Sequence, residues 1–340
     1  MLRLILSFLA LIINFNAFAM EKDKYKITDH FDGKRFYNQE PHTNTFGDFL
    51  KWQFTRKKPE WPEWTNENIK PSVERAVQNK IKATYVNHAT VLIQVDGINI
   101  LTDPLWSERA SPLSFIGPKR IHAPGIEFEK LPLIDIVLIS HDHYDHLDIP
   151  TMKRLHETFK PVFITGLKLG EYIKNIEKDL NVIELDWWEI TKFKDLKIHF
   201  VPAHHWSSRA PFMRNKTLWG GFVVESKDGS VYFAGDTGQG KHFKQIAEKF
   251  SNIKLSLLPI GSYEPTWFMK YSHINPEEAV EAHILLKSKY SMGIHFNCLS
   301  NLADEEYNQP IIDLEKALAK NKISKDEFIA PKPGQELIIE

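Results

Sequence analysis

The nine residues Ser140-His141-Asp142-His143-Tyr144-Asp145-His146-Leu147-Asp148 constrain this chain more than any other stretch. An aliphatic run at 133–139 leads straight into them and reads as a buried strand, which puts the cluster on the loop at that strand's carboxyl end. His141, Asp142, His143, Asp145 and His146 can each bind a metal or carry a proton. In an extended loop His141 and His143 point the same way and can grip one ion through neutral imidazoles. Asp145 and His146, past the bend, can reach a second ion. Asp142 is the member of the motif expected to point outwards. Nitrogen and carboxylate ligands without a thiolate suit zinc, with iron or manganese as alternatives in a dinuclear site. A polar surface loop has no need of five such groups after a buried strand.

At 340 residues the chain can form one large domain or two moderate ones. Its net charge of -1 gives no field toward nucleic acid, and no basic groove signature is present. Cys298 is the single cysteine, so no intrachain disulfide can form, and it reads as a packed small apolar residue. Arg3, an apolar run at 4–13 and Ala17-Phe18-Ala19 read as a secretory signal peptide over residues 1–19. Export to the periplasm or outer envelope is the expectation. Residues 20–80 form an N-terminal extension. Within it Phe49, Leu50, Trp52, Phe54, Trp61 and Trp64 are interleaved with Lys51, Arg56, Lys57 and Lys58. That composition suits a peripheral membrane surface or an arm whose aromatics pack on the core.

Strands are expected at 82–86, 90–95 and 98–102, with Asp96-Gly97 closing a hairpin, and at 219–225 and 230–234 around Asp228-Gly229. Residues 104–130 read as a long loop. Asp148 can cap a helix running toward Phe159. Further strands are expected at 162–165, 182–185, 196–201, 255–258, 292–294 and 336–339, and helices at 167–178, 276–287 and 311–320. Hairpins mixed with strand–helix units imply an α/β sandwich over residues 81–340. Polar groups recur at strand ends: the loop 141–146, His204-His205, Asp236 and His295. Ends on one sheet edge meet in space whatever their distance in sequence.

The order His-x-His-x-Asp-His, then His, Asp and His resembles the metallo-β-lactamase superfamily of dinuclear hydrolases. Longer strings are similar to its branch of phospholipases D that hydrolyse N-acyl-phosphatidylethanolamine: Asn87-His88-Ala89-Thr90, Leu101-Thr102-Asp103-Pro104, Gly117-Pro118-Lys119-Arg120, 184–189, 233–238, and 259–271 followed by His273. The resemblance implies a metallo-β-lactamase-like αββα four-layer sandwich with an N-terminal extension. It implies two Zn2+ ions, one on His141, His143 and His205, the other on Asp145, His146 and His295, with Asp236 bridging. His205 is preferred to His204 because it opens the family's His-Trp pair, and neighbouring strand residues face opposite ways. Asp103 would orient the attacking water, and Tyr144 and His273 would touch substrate. The implied substrate is a phospholipid cleaved to N-acylethanolamine and phosphatidic acid at a membrane surface, with no Ser or Cys nucleophile. Ser272 and Phe296-Asn297-Cys298 depart from the family's pattern and bear on acyl-chain preference. A lactonase, a nuclease or a non-catalytic metal-binding envelope protein are the competing readings, and a homodimer is left open.

Overall fold

A strap, a helix and an extended run precede the first sheet of the computed structural model, which describes residues 25–41, 44–210 and 212–340. The expected signal peptide lies outside the described residues. The strap is tied down by side chains that the sequence left unassigned. Phe31 and Phe36 are buried and stack at 4.4 Å. His30 stands between Asp29 and Asp186, 2.7 Å from each, and stacks on Trp187 at 4.4 Å. Helix α1 (Phe46–Thr55) starts at a capping box in which Thr45 and Asp48 satisfy each other's backbone amides.

Helix α1 divides the aromatic arm into packed and exposed residues. Trp52 is buried against Phe268 and donates to Asp304 at 2.9 Å, and Arg56 pairs with the same carboxylate at 3.0 Å. Those two are scaffold. Phe46 and Phe54, 74% and 86% exposed, are not.

The chain then builds two sheets in succession. The first takes a meander of β1 (Ile81–Asn87), β2 (Thr90–Val95) and β3 (Ile98–Thr102). After the loop with its short β4 (Lys119–Arg120) come β5 (Ile136–Ile139), α2 (Ile149–Phe159), β6 (Val162–Gly166), α3 (Leu169–Ile176) and β7 (Val182–Leu185). The second sheet takes β8 (Ile190–Phe193), β9 (Leu196–Val201), β10 (Gly221–Ser226) and β11 (Gly229–Phe233). Then follow α4 (His242–Lys249), β12 (Ile253–Pro259), α5 (Thr266–Met269), α6 (Pro276–Leu286), β13 (Tyr290–Ile294), β14 (Leu299–Ser300), α7 (Gln309–Asn321), β15 (Phe328–Ile329) and β16 (Glu336–Ile339). The strand orders are β16-β1-β2-β3-β5-β6-β7 and β15-β13-β12-β11-β10-β9-β8.

Strand β5 shows why the layers hold. Ile136 and Leu138 face the core between the sheets, while Val137 and Ile139 face Met152, Leu155 and Ile173 of α2 and α3. Each fully buried aliphatic contributes about 1.5–3 kcal/mol. Burial on both faces is what makes this strand an unbroken apolar run instead of an alternating one. Helices α4, α6 and α7 pack on the second sheet through Phe243, Ile246, Val280 and Leu314. The result is the αββα sandwich that the resemblance implied.

Candidate metal centre

Six strand ends build the site. His88 follows β1, Asp103 follows β3, His141 follows β5, His205 follows β9, Asp236 follows β11 and His295 follows β13. Strands β11, β12 and β13 are parallel, β9 runs the same way through antiparallel β10, and β3 and β5 are parallel, so these ends share an edge. Close approach of two of the loops needs a glycine. Gly235 has φ +62, and a Cβ there would stand 2.6 Å from that of Ser140. Within the histidine loop, the amides of His146 and Leu147 both donate to the carbonyl of His143, at 3.1 and 2.8 Å. That turn carries Asp145 and His146 back toward His141.

Two ligand sets result. In the first, His143 Nδ1 lies 2.9 Å from His141 Nε2 and 3.3 Å from His205 Nε2. Tetrahedral zinc with nitrogens at 2.0–2.1 Å would place them about 3.3 Å apart. In the second, Asp145 Oδ2 lies 3.3 Å from His295 Nε2 and 3.5 Å from His146 Nε2. Asp236 Oδ2 stands between the sets: 3.2 Å from His146 and His295, 3.8 Å from His205 and 3.9 Å from His141. His146 Nε2, His295 Nε2 and Asp236 Oδ1 are buried without a hydrogen bond. Buried polar atoms are rarely left so, and a cation supplies what these lack. The residues fit a metal pair.

The sets differ electrostatically before any ion arrives. Burial, reinforced by neighbouring histidines, holds His141 and His205 well below the ordinary imidazole value and brings His143 down to about 3. All three are neutral at pH 7 and ready to bind. In the second set burial is outweighed by the carboxylates: Asp236 and Asp145 lift His146 well above its usual value and His295 to about 9. Burial opposes charge on Asp236 too, but His146 and His295 hold it well below the carboxylate range. Ions entering there displace protons, so binding at the second set strengthens as pH rises.

A second layer of contacts aims the ligands, and it corrects two expectations. Asp103 is fully buried, and its oxygens accept from His146 Nδ1 at 2.6 Å, the Ser140 amide at 2.8 Å and Ser140 Oγ at 2.6 Å. It therefore positions His146 and does not face the cavity to orient water. Asp142 does not point outwards: it is buried and accepts from the Ser208 amide at 2.7 Å and Thr217 Oγ1 at 3.0 Å. The segment carrying Ser208 and Thr217 folds back over the loop and turns Asp142 inward.

His205 turns its Nδ1 to the carbonyl of Ser272 at 2.9 Å, leaving Nε2 for the centre, whereas His204 turns to the carbonyl of Gln239 at 3.2 Å. Two contributors were missed by sequence reasoning. His88 Nε2 lies 3.0 Å from Asp145 Oδ2, with its ring 4.1 Å from that of His295. Its only signal was its place in the string Asn87-His88-Ala89-Thr90. Asn38, on the strap, clasps the backbone of His205: Nδ2 donates to the His205 carbonyl at 2.8 Å, and Oδ1 accepts from the His205 amide at 3.1 Å and from Trp219 Nε1 at 3.0 Å. Nothing in the sequence marks an isolated amide for this. Changing Asn38→Ala is expected to weaken the ion on the three histidines by about 10–100-fold, the usual cost of losing an outer partner of a ligand. Chelator competition measures it; an unchanged affinity would mean that the β9 loop holds His205 by itself.

The cluster opens into a cavity of 470 Å³. His143, Asp145, Asp236 and His295 line its inner end, with Tyr144 and His273 beside them. Tyr144 donates to the carbonyl of Arg209 at 2.8 Å, and His273 Nδ1 lies 3.8 Å from Asp236 Oδ2 without a hydrogen bond of its own. Phe46, Phe49, Trp52, Phe268 and Met269 make the cavity apolar on another side. Cys298 packs with Leu105 and Leu299 and takes no part in the cluster.

An αββα sandwich with a His/Asp metal-binding cluster at its strand ends defines a metal-dependent hydrolase. Residues 98–296 match the family model of the β-lactamase superfamily domain. The Caenorhabditis elegans N-acyl-phosphatidylethanolamine-hydrolyzing phospholipase D 1 is 38% identical over 264 residues, covering 74% of this chain and 74% of the relative. The chain belongs to the metallo-β-lactamase superfamily, with the N-acyl-phosphatidylethanolamine-hydrolysing phospholipases D among its relatives. Solved structures carry the fold: Igni18, a metallo hydrolase of Ignicoccus hospitalis, is 24% identical with a TM-score of 0.58, over 77% of this chain and 99% of that one. The diiron β-hydroxylase CmlA of Streptomyces venezuelae is 19% identical with a TM-score of 0.56, over 77% of this chain and 54% of that one.

Proposed function

We propose that this chain is a phosphodiesterase of the phospholipase D type, hydrolysing N-acyl-phosphatidylethanolamine or a similar phospholipid to N-acylethanolamine and phosphatidic acid. One observation carries the reading: a single cavity joins the His/Asp cluster to a wall of Phe46, Phe49, Trp52 and Phe268. A phosphodiester with apolar chains needs both.

His141, His143 and His205 would hold one ion and Asp145, His146 and His295 the other, with Asp236 shared. Bound there, the pair would lower the pKa of a water to about 7 and neutralise charge on the phosphodiester. Asp103 keeps His146 Nε2 aimed inward, and Ser272 and Asn38 do the same for His205. Tyr144 and His273 are the cavity side chains placed to touch substrate. Zinc suits the nitrogen spacing of the first set, and iron, which CmlA carries, is the alternative that metal analysis decides.

The cavity takes a drug-sized group, not the whole of a lipid with two long chains. The wall therefore meets only the chain carbons nearest the phosphodiester, and most of each tail remains outside it. Exposed Phe46 and Phe54, with Leu113, Phe115 and Ile116 in the loop beyond Ala110, supply an apolar surface for peripheral contact with a bilayer. Lys57 and Lys58 are exposed and available to anionic headgroups, while Arg56 is engaged by Asp304. Among the described residues no helix is long and apolar enough to cross a membrane.

Metal analysis paired with headgroup release tests the proposal. Expected are two ions per chain and release of N-acylethanolamine from the phospholipid, both lost on chelation and restored by added zinc. Loaded protein that opens a lactone or cleaves nucleic acid, and leaves the phospholipid intact, would replace this reading with its competitor.

A further inference from the structure

One cation on the cavity wall has no partner. Arg214, in the segment between β9 and β10, lines the same cavity as the metal cluster and is exposed at its rim. Among the described residues it makes no hydrogen bond and no ion pair; its guanidinium lies over the ring of Trp206, 4.4 Å from the centroid. The charged group that bears on it is Arg35, of the same sign. Among the described residues no carboxylate pairs with either of them. Other arginines are engaged: Arg56 by Asp304, Arg154 by Glu129, and Arg209 by the carbonyls of Asp142 and Leu147.

The stacking geometry says what Arg214 can still do. A guanidinium lying on an indole spends its face there and keeps its in-plane N–H groups free, in the fork that matches an oxyanion. Trp206 in turn meets His143 edge-on at 4.3 Å. The indole thus touches both the guanidinium and His143 of the first set. Arg214 itself is not among the clustered side chains, so an anion held by it is a different group from one held among the ligands.

We propose that Arg214 is a specificity residue that receives a second oxyanion of the substrate, on the headgroup side of the scissile phosphodiester. The apolar wall takes the chains and the cationic rim takes the charge, which orients the lipid in the cavity. This inference rests on the phosphodiesterase reading of the cluster, and its test separates the two.

Two lipids differing by one carboxylate, N-acyl-phosphatidylethanolamine and N-acyl-phosphatidylserine, are compared in the same neutral detergent micelles, so that surface charge is constant. The metal-loaded wild type is expected to favour the carboxylate lipid in kcat/KM by about tenfold, the scale of one hydrogen-bonded charge. Arg214→Gln should bring that ratio near one, and Arg214→Lys, which keeps the charge and loses the fork, should fall between. No preference in the wild type, or an equal loss on both lipids in Arg214→Gln, overturns the proposal and makes the arginine a brace for Trp206. If neither lipid is hydrolysed, the phosphodiesterase reading fails, and binding of the two micellar lipids to the loaded protein then decides Arg214. A preference that Arg214→Gln abolishes upholds it; equal binding sinks it.

Discussion

Changing Asp236→Asn abolishes turnover and loosens ions at both ligand sets. Among the described residues the Asp236 carboxylate is the single anionic group within 3.9 Å of His141, His146, His205 and His295 together. An amide of the same shape brings no charge and turns an N–H2 donor, which binds no cation, toward one of the two sets. The loss in kcat is expected to reach at least about 10³, the upper scale for removing one group that meets charge at a reacting centre. Metal content should drop below two ions per chain, while the far-ultraviolet circular dichroism stays native. Two retained ions with a near-native rate would show that Asp236 does not bridge.

Replacing His205 by Ala costs the first ion, and replacing His204 by Ala does not. The two neighbours share a loop and a residue type, but His205 Nε2 faces His143 and His204 Nδ1 faces the Gln239 carbonyl. His205→Ala leaves two nitrogens where three stood, so its affinity loss should exceed the roughly 10–100-fold of an outer-partner change. His204→Ala should keep both ions and cost about 1 kcal/mol, the worth of one net hydrogen bond. Equilibrium dialysis on the two variants reads the difference directly. The opposite pattern would put the wrong member of the pair in the centre.

The His/Asp cluster was legible because chemistry had packed it into short strings at strand ends. His141, His143, Asp145 and His146 occupy one turn, and apolar runs announced the strands before His205, Asp236 and His295. Asp96-Gly97 and Asp228-Gly229 marked their hairpins for the same local reason, a backbone that must adopt positive φ. What stayed hidden was tertiary. Strand β8 sits at a sheet edge, only partly buried, so its residues carry no apolar period. Helix α4 has no side-chain cap and only Phe243 and Ile246 as apolar residues inside. Asp142 and Asp103 were expected elsewhere for different reasons: the direction of Asp142 came from the local loop and the role of Asp103 from the resemblance, while contacts with Thr217 and His146 fix them. Nothing in the sequence marks Arg214, because its lack of a carboxylate partner among the described residues is a fact about space.

The clasp of Asn38 on His205 has a consequence for when the centre comes into being. The two residues are 167 positions apart, and His295 and the β1–β16 pairing lie still farther along the chain. A chain emerging from synthesis presents His141, His143, Asp145 and His146 early, without His205, Asp236 and His295, which complete the two sets between them. Contacts of such sequence separation are the slow ones to close. Tight uptake therefore awaits nearly the whole polypeptide, and ions offered earlier find only a partial, exchangeable site. Because sites of this kind draw much of their selectivity from which metals are at hand, the ion retained is set where folding is finished, not where translation begins.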